Sequence, residues 1–138
     1  MARARQQAES DDRPFITEAL DDVHEPQPVP EGEYDVRIVK ATQGKSKKGN
    51  DMISLFLAID GEDASGFGHW LLGWDGDTDE DQVKSRKLEM KRFVAAFDVP
   101  VDFTASDLVG QTASVFLMQE EGDDGVVRNR MRLPKLKE

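Results

Sequence analysis

The hydrophobic period of this chain changes twice, and those changes constrain its fold more than any other feature. Tyr34, Val36 and Ile38 alternate with Asp35, Arg37 and Val39. That pattern predicts a half-buried strand, entered after Pro30 and Gly32. Asp51 to Asp60 predicts a second strand, with Ile53, Leu55, Leu57 and Ile59 on one face and Met52, Ser54, Phe56 and Ala58 on the other. Phe67 to Trp74 reads as a third strand, weakened by Gly68 and Gly73. The period then becomes helical. Val83, Met90, Phe93, Val94 and Phe97 fall on one narrow arc at 3.6 residues per turn. Thr78 and Asp81 have capping-box spacing, and Asp79, Glu80 and Asp81 sit where the helix dipole favours acids. A helix from about Asp79 to Phe97 is expected, closed by Val99-Pro100. A short helical turn follows at Ala105 to Val109. Alternation returns in Gln111 to Gln119 and in Val126 to Leu133, joined by the turn Glu121-Gly-Asp-Asp-Gly125.

The element order is therefore strand, strand, strand, helix, strand, strand. It matches the OB-fold, a five-stranded barrel whose helix lies between strands three and four. An open antiparallel sheet carrying one helix has the same order, so both architectures stand at this point. OB barrels commonly bind nucleic acid or sugar chains across strands two and three and the adjoining loops.

Residues 1–31 read differently. Arg3, Arg5 and Arg13 stand against eight acids, apolar residues are sparse, and Pro26, Pro28 and Pro30 close the segment. A flexible, disordered acidic tail with a stiff proline-rich linker is expected, followed by an OB-fold domain over residues 32–138. There is no cysteine, which removes disulfides and thiolate chemistry. No apolar run approaches the roughly 18 residues of a membrane span. The N-terminus lacks a signal peptide's apolar core. A soluble cytoplasmic protein is the expectation.

Charge is segregated. The formal net charge is −10, yet Arg37, Lys40, Lys45, Lys47 and Lys48 form one stretch free of acids. Arg128, Arg130, Arg132, Lys135 and Lys137 form another. Local basic surface on an acidic protein suggests a polyanion-binding face. Gly44-Lys-Ser46 ends like a phosphate-binding loop, but Val39 stands where that motif needs glycine, and strand follows instead of helix. Nucleotide hydrolysis is rejected. Lys45, Lys47 and Lys48 remain as ammonium groups able to follow a phosphate backbone, or as an ordinary solvated hairpin tip. Arg128, Arg130 and Arg132 alternate, so they project from one side of a strand and must be compensated. Facing carboxylates and phosphates are both open as partners.

Phe56, Trp70 and Trp74 are the rings that bases would stack on. Tryptophan in a small domain is more often core than platform, so Phe56 is the ring expected to be exposed. Trp70 and Trp74 are expected on one face of strand three. Asp75, Asp77, Asp79 and Asp81 alternate, but Glu80 and Arg86 occupy the glycine and glutamate positions of a calcium loop. His24 and His69 have no partner at recognisable spacing. No catalytic set, metal site or cofactor site is readable, and a non-enzymatic protein is expected. Glu120, Glu121, Asp123 and Asp124 argue the other way, since this turn often flanks the ligand groove of an OB-fold.

The run PEGEYDVRIVKATQGKSKKGNDMISLFLAIDG, from Pro30 to Gly61, resembles the opening of a family of bacteriophage-encoded OB-fold single-stranded-DNA-binding proteins. Asp107-Leu-Val-Gly-Gln-Thr112 and the terminal basic strand are similar to that family too. The likeness covers about Pro30 to Leu133. It implies a non-catalytic protein of phage DNA replication and recombination, working in the host bacterial cytoplasm with single-stranded DNA as partner. Replication or recombination proteins would be further partners, reached through the N-terminal tail, and homo-oligomers are compatible with such a role. The resemblance assigns no binding residues. A net charge of −10 supports a different class as well: a protein-interaction module, or an acidic inhibitor that imitates DNA.

Overall fold

The computed structural model describes residues 14–21, 23, 25–61 and 64–136. Its elements are β1 (Gly32–Lys45), β2 (Asp51–Ile59), β3 (Phe67–Leu72), α1 (Glu80–Phe97), α2 (Ala105–Leu108), β4 (Thr112–Glu121) and β5 (Val127–Arg132). The strands form one antiparallel sheet in the order β3-β2-β1-β4-β5. The sheet curls until β3 and β5 come into contact, giving a nearly closed, OB-like barrel with α1 between β3 and β4. The open-sheet alternative is thereby excluded. Among the described residues no helix is long and apolar enough to cross a membrane.

Alternation places Val36, Ile38, Leu55, Leu57, Phe67, Leu71, Val115, Leu117 and Met131 inside the barrel. Phe93 and Phe97 of α1 close the core, with ring centroids 4.7 Å apart. Each such ring removes roughly 150–250 Å² from water. The helix starts one residue later than its spacing suggested. Asp79, not Thr78, is the cap: its carboxylate accepts the Gln82 N–H at 2.8 Å, and the Gln82 side chain accepts the Asp79 N–H at 3.1 Å. Thr78 instead donates its hydroxyl to the Trp74 carbonyl.

Two strand limits also differ from expectation. β1 runs on through Gly44 and Lys45, so the basic loop shrinks to a tight turn closed by Ser46 N–H to the Asn50 carbonyl at 2.8 Å. β3 ends at Leu72, not Trp74. The Asp75 carboxylate accepts the Asp51 N–H at 2.7 Å, where another ladder carbonyl would otherwise sit.

The packed unit begins before Gly32. Val29 is buried in the core, Gln27 forms a parallel bridge to Ala64, and the Tyr34 hydroxyl donates to the Pro30 carbonyl at 2.8 Å. The proline-rich run expected as a linker is thus part of the barrel. Upstream, the described residues form no helix or strand, and Phe15 is fully exposed. Residues 1–13 of the acidic tail, His24 and Lys137 lie outside the described residues.

Candidate nucleic-acid interface

A bulge in β1 creates the outer face of the barrel. Ile38 pairs with Leu57 and Lys40 with Phe56, so Val39 is an extra residue without a partner. The extra residue reverses the alternation. Arg37 points outward before it, and Lys40 and Thr42 do so after it. One rung of the outer face then reads Lys40, Phe56, Gly68, and the next reads Thr42, Ser54, Trp70. Phe56 and Trp70 are diagonal neighbours across β2 and β3.

Both rings are exposed, Phe56 at 47% and Trp70 at 57%. The expectation that tryptophan would be core fails for Trp70, because position 70 alternates with the inward-facing Phe67 register of His69 and Leu71. Glycine explains how the rings lie against the sheet. A Cβ on Gly68 would meet the Trp70 ring at 3.4 Å, and one on Gly66 would meet the Phe56 ring at 2.5 Å. Each ring occupies the space above a residue that has no side chain.

Trp74 does not share this face. It lies beyond the end of β3, half-buried, with the Lys87 ammonium 5.8 Å from its ring centroid. The expectation that Trp70 and Trp74 share one face of strand three is corrected, because β3 ends at Leu72, between them.

The cations divide into two groups. Four of the expected phosphate ligands face carboxylates. Arg37 lies 3.5 Å from Asp60, and Lys45 bridges Asp51 at 2.8 Å and Asp75 at 3.2 Å. Hydrogen bonds to Asp51 and then Asp75 raise the Lys45 pKa. Arg128 makes a two-pronged contact with Asp124, at 2.7 and 3.2 Å, which holds the Asp124 carboxyl down at about 2. Arg130 donates to both oxygens of Glu120 at 3.0 Å. Asp124 in the β4–β5 turn and Glu120 near the end of β4 therefore answer two rungs of the arginine ladder, and Arg132, the third, lies over the Phe116 ring at 4.7 Å. Lys40, Lys47 and Lys48 make no ion pair among the described residues.

Lys40 belongs to the first basic stretch, but the sequence does not mark it as part of an interface. Its signal is a break in alternation, with apolar Val39 at an outward position and lysine at an inward one. Strict alternation buries Lys40; a bulge turns it out beside Phe56. No protein-family model and no curated protein matches the chain.

Proposed function

We propose that this protein binds single-stranded DNA non-catalytically, on the outer face of β1, β2 and β3. The observation that carries the reading is the exposed diagonal pair Phe56 and Trp70, each laid over a glycine and bordered by Lys40, which has no ion pair among the described residues. Stacking contributes about 1–3 kcal/mol per base and tolerates any sequence, since every base has a π face. Lys47 and Lys48, at the tip of the same hairpin, extend the cationic border along which phosphates would run. A role in phage replication or recombination follows from the sequence resemblance and belongs to the same proposal.

Titration of a labelled oligonucleotide at several salt concentrations tests it. Binding should weaken as salt rises, with a slope near −0.7 per phosphate engaged. Absence of binding at low salt would sink the reading.

The acidic-inhibitor reading is favoured by one observation. Carboxylates already answer Arg37, Lys45, Arg128 and Arg130, leaving surplus acid on a chain of net charge −10. A protein of that class would shift no DNA at any salt and would instead bind a DNA-binding protein.

A further inference from the structure

The barrel is not sealed beside Trp70. Between the unpaired edges of β3 and β5, above α1, lies a crevice of about 550 Å³. Leu72 and Met90 contribute apolar wall, Trp70 forms one side, and His69, Glu89 and Arg130 bring polar groups. The volume is in the range of small-molecule sites, which are also largely apolar with a few placed polar atoms.

One of those polar atoms is unusual. His69 Nε2 is buried and has no hydrogen-bond partner among the described residues, although buried polar atoms are normally satisfied. The nearest carboxylate oxygen, Glu89 Oε2, is 3.8 Å away, too far for a hydrogen bond between them. One flat ligand edge could reach both. Burial keeps the imidazole neutral at pH 7, so it can donate from Nε2 to a carbonyl. The Glu89 carboxylate, half-exposed on α1, can only accept.

We infer that this crevice takes one unstacked base from the bound strand and prefers guanine. The inference rests on the single-strand reading above and adds specificity to it. Guanine presents a carbonyl acceptor followed by two adjacent N–H donors along its pairing edge. The acceptor suits His69 Nε2–H, and the two donors suit the two oxygens of Glu89. Thymine sets a second carbonyl against the carboxylate. Adenine and cytosine offer a single donor group beside ring acceptors. Trp70 borders both the outer face and the crevice, so a base leaving the stack passes directly from one to the other. A correct multi-point edge contact discriminates bases by roughly tenfold or more.

The test compares fluorescence anisotropy of an all-thymine oligonucleotide with versions carrying one central guanine or one central adenine. The guanine version should bind about tenfold tighter, and the adenine version no tighter than all-thymine. Glu89→Gln should erase the guanine advantage while binding all-thymine DNA as the parent does, which also shows that the variant is folded. Equal affinity for all three oligonucleotides overturns the guanine pocket and leaves the stacking face intact. Failure of every oligonucleotide to bind overturns both.

Discussion

The side-chain amide of Asn129 bonds the backbone of Val29 on both sides. Its oxygen accepts the Val29 N–H at 2.8 Å, and its nitrogen donates to the Val29 carbonyl at 2.9 Å. Gln119, opposite Asn129 in the β4–β5 ladder, donates to the same carbonyl at 2.9 Å. An asparagine side chain here does what a neighbouring strand would do. It lets the proline-rich segment lie against β5 with its buried polar groups satisfied. Asn129→Ala should therefore cost about 2–4 kcal/mol, from three missing side-chain hydrogen bonds, the third being to the Met118 carbonyl, with the buried Val29 N–H left unpaired. Denaturant unfolding measures the cost, and hydrogen exchange at the Val29 amide should accelerate selectively. A variant as stable as the parent would mean that the segment is not held by this amide.

Removal of a stacking ring should affect binding far more than folding. Trp70→Ala and Phe56→Ala each take away an exposed ring, so stability should change by less than about 1 kcal/mol. Affinity for single-stranded DNA should fall about 5- to 150-fold for each, the equivalent of 1–3 kcal/mol per base. Trp74→Ala, off the face, should leave affinity near the parent value. Equal reductions at Trp70 and Trp74 would move the interface elsewhere.

The salt slope separates free cations from paired ones. Replacing Lys40, Lys47 and Lys48 together with alanine should reduce the magnitude of the slope by about 2, near 0.7 for each phosphate no longer engaged. Replacing Arg128 and Arg130 should leave the slope nearly unchanged, since Asp124 and Glu120 already hold those guanidinium groups. The reverse ranking would restore the arginine ladder as the phosphate site.

Acid should weaken the fold before its carboxylates are protonated. Burial, reinforced by the nearby Arg130 charge, lowers the His69 pKa from 6.5 to about 4. The unfolded chain thus binds a proton over a range where the folded chain refuses it. Stability from this group is fully present above pH 6.5, declines as pH falls towards 4, and is constant below that. The full decline is on the order of 3 kcal/mol, at 1.36 kcal/mol per pKa unit. Unfolding measured between pH 7 and 4.5 should show the decline in the parent and not in His69→Gln. The same slope in both would assign it to other groups.

How much of this was legible in advance varies by residue for physical reasons. β2 was legible in full, because Ile53, Leu55, Leu57 and Ile59 alternate without interruption and one face of a barrel strand must be apolar. The body of α1 was legible from the arc of Met90, Phe93, Val94 and Phe97, but its cap moved to Asp79, since several neighbouring residues there can accept an N–H. The end of β3 was not legible. It depends on an Asp75 carboxylate reaching Asp51, a hydrogen bond across 24 residues that no local pattern encodes.

The amino-acid pattern alone determined the order of elements and, where alternation is unbroken as in β2, the side each residue faces, because both follow from local backbone periodicity; the bulge at Val39 reversed that facing for Lys40. Which cations remain free was decided by the tertiary structure. Charge pairing depends on distance in space, and only folding brings Asp124 to Arg128, Glu120 to Arg130 and Asp75 to Lys45. The same holds for Trp70 beside Phe56: alternation sets the side of the strand, but the register between β2 and β3 makes them neighbours.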